Sequence, residues 1–114
     1  MLPLRMVDVR EYIDDRGRNP YRRWFDRLDP QAAAKVTIGL TRLSLGNFSQ
    51  VKTARAGVFE YRIDFGPGYR IYFGKGGDNL VIVLGGGTKQ RHQRDIENAV
   101  AHWQDYQRRP EGDD

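Results

Sequence analysis

Between Val58 and Phe73 the chain carries two runs of period two, separated by Gly66-Pro67-Gly68. Phe59, Tyr61, Ile63 and Phe65 alternate with Val58, Glu60, Arg62 and Asp64; after the break, Tyr69, Ile71 and Phe73 alternate with Arg70 and Tyr72. A half-buried strand requires this period, because successive side chains leave opposite faces of the backbone. Glycines flanking a proline supply the turn. The segment predicts a β-hairpin whose aromatic face packs on a core and whose other face presents Glu60, Arg62, Arg70 and Tyr72.

The elements around the hairpin follow from local signals. Val7–Ile13 alternates Val7, Val9, Glu11 and Ile13 with Asp8, Arg10 and Tyr12, and reads as a first strand. Asn19-Pro20 and Asp29-Pro30 each set a capping side chain before a proline at the first helical position, where the missing N–H costs nothing. Two helices with almost no loop between them are expected. The first buries Tyr21, Trp24, Phe25 and Leu28, and the second runs through Ala33, Val36, Leu40 and Leu43 to Gly46-Asn47. Gly39, costly inside a helix, marks a close approach to a neighbouring strand. Residues 47–57 read as irregular. Leu80–Leu84 is a continuous apolar run suited to a central strand that ends at Gly85-Gly86-Gly87, and Ile96, Ala99, Val100 and Trp103 stripe a last helix. The order βααβββα predicts one small α+β domain over residues 1–110, with an antiparallel sheet and a disordered tail at 111–114.

Charge is distributed unevenly along the 114 residues. The net charge is +4, but residues 31–94 hold 10 basic side chains against 3 acidic ones, while residues 95–114 hold 2 against 6. A basic centre of this kind attracts phosphates. The absence of cysteine excludes disulfides, thiolate catalysis and cysteine-ligated zinc. Neither a signal-peptide core nor an apolar run long enough to span a bilayer is present, so a cytoplasmic protein without membrane contact is expected. No phosphate-binding P-loop pattern occurs, and His92 and His102 lack partners at metal-ligand spacing. Both histidines read as surface residues of the last helix; no metal and no cofactor are expected.

The charged hairpin face has two readings. One is a solvated outer surface with a cross-strand Glu–Arg pair; the other is a phosphate-binding surface reinforced by Lys52 and Arg55 before the hairpin and by Lys89 and Arg91 after the central strand. For metal-free RNA cleavage, a ribose 2′-hydroxyl attacks its own 3′-phosphate, which calls for a proton acceptor, a proton donor and charge stabilisation. Arginine supplies only the last. Lys89 or Lys52 is a candidate base if neighbouring cations depress its pKa, Glu60 is a candidate base if it is free of Arg62, and Tyr72 can stack on a base or donate a proton.

The segments Gly57-Val58-Phe59-Glu60-Tyr61-Arg62, Gly66-Pro67-Gly68-Tyr69-Arg70-Ile71-Tyr72-Phe73 and Gly85-Gly86-Gly87-Thr88-Lys89, followed by Asp95-Ile96, Ala99 and Trp103, closely resemble the RelE/ParE toxin superfamily in its HigB-like addiction module killer protein branch. The resemblance spans about residues 7–106. It implies a toxin of a type II toxin–antitoxin pair, an antitoxin partner and, for RelE- and HigB-like members, cleavage of mRNA on the ribosome. By motif, Arg70 matches the arginine that stabilises the transition state, Arg62 the basic residue of the first hairpin strand, and Lys89 the basic residue after the central strand; Lys52 matches more loosely. ParE-like relatives inhibit DNA gyrase by binding instead, and a degenerate toxin that acts only in antitoxin-linked repression is a third reading.

Overall fold

A computed structural model of the chain describes residues 6–110, so the tail expected at 111–114 lies outside the described residues. Strand β1 (Asp8–Glu11) leads into helices α1 (Pro20–Phe25) and α2 (Pro30–Ser44). Strands β2 (Val51–Arg55), β3 (Val58–Ile63), β4 (Tyr69–Lys75) and β5 (Leu80–Thr88) follow, then a 3-10 turn at Lys89–Arg91 and helix α3 (His92–Arg108). The fold is α+β. Both helix starts form as their sequences predict: the Asn19 side chain accepts from the Arg22 N–H at 2.9 Å, and the Asp29 side chain accepts from the Ala32 N–H at 2.9 Å. Each such cap contributes about 1 kcal/mol. Helix α1 stops at Phe25, and Leu28 packs on the core from the connection.

The five strands form one sheet in the order β1-β5-β4-β3-β2. Three features differ from the sequence reading. The first is that β1 pairs with β5 in parallel, Asp8 opposite Leu80 and Glu11 opposite Val83, so the sheet is mixed and not purely antiparallel. Parallel neighbours need a long crossover, and the helices and hairpins between β1 and β5 supply one.

The second is β2, where an irregular segment was expected. It pairs antiparallel with β3 through a two-residue turn in which Ala56 (φ 53) and Gly57 (φ 86) are both left-handed. Two positive φ values make the tight hairpin turn that matches strand twist, but alanine gives little warning of it. As an edge strand with both faces largely exposed, β2 also has no strong alternation to display.

The third concerns β5, which continues through Gly85-Gly86-Gly87 to Thr88 instead of ending there. A Cβ on Gly86 would enter the Trp24 indole, and one on Gly87 would collide with the Asp95 carboxylate. Here the glycines let neighbouring side chains press directly on the strand.

Helices cover both faces of the sheet. On one face, Tyr21, Val36 and Leu43 from the α1–α2 pair pack with Tyr61, Ile71, Phe73, Val81 and Val83. The buried stripe of α2 is Ala32, Val36, Gly39 and Leu43, with Ala33 and Leu40 only half-buried. At Gly39 an added Cβ would come within 3.0 Å of the Tyr61 ring, the strand contact that this glycine predicts. On the other face, Ile96, Ala99 and Trp103 of α3 pack on Val58, Tyr72, Ile82 and Leu84, joined by Tyr12. The face expected to be charged is therefore half core, and Tyr12, grouped with the polar side of β1, is buried.

Candidate functional site

Strand register brings the charged residues together. Across β2, β3, β4 and β5, Lys52 lies opposite Glu60, Glu60 opposite Tyr72 and Tyr72 opposite Gly85; in the next row Arg62 lies opposite Arg70 and Arg70 opposite Gly87. Directly opposed residues share a face, so Lys52, Glu60, Arg62, Arg70 and Tyr72 all point to the α3 side. Helix α3 covers the Tyr72 end and leaves the Arg62–Arg70 end open.

Glu60 is the floor of this open end. It is only 3% exposed, and its Oε2 lies 3.0 Å from Arg62 Nε and 3.3 Å from Arg70 Nε. A buried carboxylate without such partners would be costly. The condition under which Glu60 would act as a free base, independence from Arg62, is not met. Arg70 is fixed firmly, with a side chain 12% exposed, whereas the Arg62 side chain is 48% exposed. Arg62, held at Nε and half-exposed, presents the far end of its guanidinium fork to a ligand, while the Arg70 fork lies beside the Tyr72 hydroxyl.

Tyr72 is fully buried, so its ring is closed to stacking on a base. Its phenol is pushed up to about 12, first by burial and then by the negative charges of Glu60 and Asp95. Arg70 lies beside the hydroxyl and pulls the other way, without satisfying it as a hydrogen-bond partner of good geometry. The phenol holds its proton throughout the neutral range.

Lys89 reaches the site from the opposite side. Its backbone N–H donates to the Gly68 carbonyl at 3.0 Å, tying the turn after β5 to the Gly66-Pro67-Gly68 turn. Gly68 has φ 82, a left-handed conformation that glycine adopts without strain. Lys52, Arg62, Arg70 and Lys89 thereby line one cleft of about 350 Å³, with Asp64 as the single lining carboxylate. Arg55 and Arg91 do not line it: both are exposed, Arg55 opposite Val58 at the far end of β2 and Arg91 on the 3-10 turn beyond Lys89.

The cleft is also lined by Gln50, Ile63, Asp64, Gly68 and Tyr69, none of them a candidate site residue from sequence. Gln50 sits in the segment read as irregular, and its carbonyl accepts from the Arg62 N–H at 3.1 Å; Tyr69 had been assigned to the core by alternation alone. Neither histidine lines the cleft. Both lie half-buried on α3, and His102 stacks on Tyr12 with ring centroids 5.0 Å apart. Among the described residues no group of three His, Cys, Asp or Glu side chains could hold a metal ion, and no helix is long and apolar enough to cross a membrane. The arrangement can bind an anion with at least two charges and stabilise more charge as it develops.

No family model matches the chain. Among solved structures, it is similar to a chain of the toxin–antitoxin complex RelBE2 from Mycobacterium tuberculosis, with TM-score 0.50 and 19% identity over 76% of this chain and 95% of that one. The small α+β domain with its five-stranded mixed sheet thus has a RelE-like fold. In sequence, an uncharacterized protein of Haemophilus influenzae is 42% identical over 77 residues, covering 67% of this chain and 78% of that protein. The aligned length and identity are those of homologues, and the chain belongs to the same family as this Haemophilus influenzae protein.

Proposed function

We propose that the chain is the toxin of a toxin–antitoxin pair, of HigB-like RelE/ParE type, and that it arrests translation by cutting mRNA on the ribosome. The observation that supports this reading best is the convergence of Lys52, Arg62, Arg70 and Lys89 on one cleft over a buried Glu60. In the reaction, the ribose 2′-oxygen forms a bond to the adjacent phosphorus and the bond to the 5′-oxygen of the next nucleotide breaks. A 2′,3′-cyclic phosphate and a 5′-hydroxyl result; one proton leaves the 2′-oxygen and one reaches the 5′-oxygen.

Arg70, held in place by Glu60, meets the charge that builds on the phosphoryl oxygens, and the more exposed Arg62 assists it. Lys52 and Lys89 bind flanking phosphates and are the candidate proton carriers, while Arg55 and Arg91 serve as outer RNA contacts. With so few acid–base groups in the cleft, the ribosome supplies alignment of the substrate. An antitoxin with an acidic or apolar segment would neutralise the face by covering it.

Arg70→Ala is the direct test. Induced in cells, the chain should arrest growth and generate new mRNA 5′ ends while gyrase supercoiling, assayed in parallel, stays normal. The variant should lose on the order of 10²–10³ in cleavage rate while still binding ribosomes and antitoxin. Arg70→Lys keeps the charge but not the fork and should recover only part of the activity. Full toxicity of Arg70→Ala, or inhibited supercoiling with intact mRNA, would overturn the assignment.

A further inference from the structure

A second groove lies on the other face of the sheet, between α2 and the end of β3. It encloses about 270 Å³, and its walls include Lys35, Ile38, Arg42, Tyr61, Arg62 and Phe65. Lys35 and Arg42 are seven residues apart on α2, so they share one helix face at a separation of about 10.5 Å along the axis. Among the described residues neither has a carboxylate partner within ion-pair distance. Lys35 is steadied instead by the Phe65 ring, with Nζ 5.3 Å from its centroid.

This groove is continuous with the cleft. Gln50, Arg62, Ile63 and Asp64 line both. The continuity arises because the β2–β3 ladder begins at Val51 opposite Tyr61 and the last backbone bond to that edge is the one from the Arg62 N–H to the Gln50 carbonyl, so no β2 residue flanks it beyond Arg62. Arg62, half-exposed, stands at this open edge and belongs to both walls. A cationic path therefore runs from Lys89 and Arg70, past Arg62, around the sheet edge to Arg42 and Lys35. Asp64 is the one carboxylate lining either groove.

We infer that the α2 groove is a second binding subsite for single-stranded RNA, in which Lys35 and Arg42 hold phosphates of nucleotides flanking the one in the cleft. The inference rests on the cleft being an RNA site, as proposed above. An acidic peptide is the competing occupant. RNA is favoured because the groove opens into the phosphate-binding cleft through a shared arginine, and a strand whose phosphate sits there must continue past that arginine.

The test uses two 5′-labelled single-stranded RNAs, a trinucleotide and a nonanucleotide, titrated at several salt concentrations with the full chain and with the Lys35→Ala/Arg42→Ala variant. Both side chains are exposed on a helix that tolerates alanine, so folding should be retained. The variant should bind the nonanucleotide on the order of tenfold more weakly, with the slope of log K against log salt shallower by about 1.4, and bind the trinucleotide as before. Unchanged nonanucleotide binding, or equal losses for both RNAs, would overturn the subsite while leaving the cleft assignment intact. If the unmodified chain binds neither RNA, the reading of the cleft fails and the subsite with it. A variant that loses its antitoxin but keeps full RNA affinity would assign the groove to a protein partner, against the inference.

Discussion

At the scale of single residues, the contrast between Glu60 and Arg70 is the most informative. In the sequence both are simply charged members of a strand face. In the structure one is a buried anion whose partners are two arginines, and the other is an arginine whose orientation depends on that anion. Removing the carboxylate leaves Arg70 confined among buried groups without its counter-charge, a loss on the order of 2 kcal/mol once the screening of half-exposed Arg62 is allowed for. Glu60→Ala is therefore expected to lower unfolding stability and also turnover, whereas Glu60→Gln, which keeps the shape and one acceptor, should restore most of the stability but little of the turnover. Denaturant unfolding alongside single-turnover cleavage separates the two effects. If Glu60→Gln cleaves at the unmodified rate, Glu60 has no positioning role.

At the scale of elements, the sheet is built around close contacts between glycines and indoles. Trp103 of α3 occupies the space where a Cβ on Gly74 would sit, and Trp24 of α1 does the same over Gly86 from the opposite face. Overpacking of this kind costs about 1–3 kcal/mol, so Gly74→Ala and Gly86→Ala should each lower the unfolding free energy, read from denaturant titration, by that amount. Gly85 is the internal control: it adjoins Gly86 in β5, yet a Cβ there meets nothing within 4 Å. Gly85→Ala should be neutral or slightly stabilising, because alanine loses less backbone entropy than glycine on entering a strand. Equal destabilisation by all three substitutions would mean that the strand itself, and not the indoles, demands glycine.

At the scale of the whole molecule, stability depends on α3 docking across the sheet onto β1. The Tyr12 hydroxyl donates to Asp105 Oδ2 at 2.6 Å, and Arg109 Nη2 donates to the Ile13 carbonyl at 2.6 Å and to Asp105 Oδ2 at 3.0 Å. His102 lies in this junction. Burial pushes its pKa below the ordinary 6.5, Asp14 and Asp105 oppose the shift, and Arg18 adds to it. The unfolded chain thus takes up a proton before the folded one, so the stability associated with neutral His102 is complete above 6.5 and is lost as pH falls from there toward the folded value. Asp105, held below its usual range chiefly by the Tyr12 hydrogen bond, adds a further loss in the acid range, while half-buried Asp95, shifted upward, works against it. Melting temperature should fall as pH drops from about 6.5 to about 5 and fall less in His102→Gln; identical slopes in the two proteins would exclude His102 as the source.

The features legible in the sequence are those set by local physics. Proline after a capping residue started both helices, alternation placed Glu60, Arg62, Arg70 and Tyr72 on one face, and Gly39 marked its contact with Tyr61. These depend on backbone sterics and on side-chain period, which a few neighbouring residues determine. Tertiary structure alone decided what a linear pattern does not encode: the parallel pairing of β1 with β5, the edge strand β2, and how the polar face divides between α3 and solvent. It also decided that Glu60 is clamped, that Tyr72 is buried, and that Lys52 and Lys89 meet in one cleft while Arg55 and Arg91 do not. Register and layer packing bring Lys52 and Lys89, 37 positions apart, into one cleft, and no local signal measures that separation.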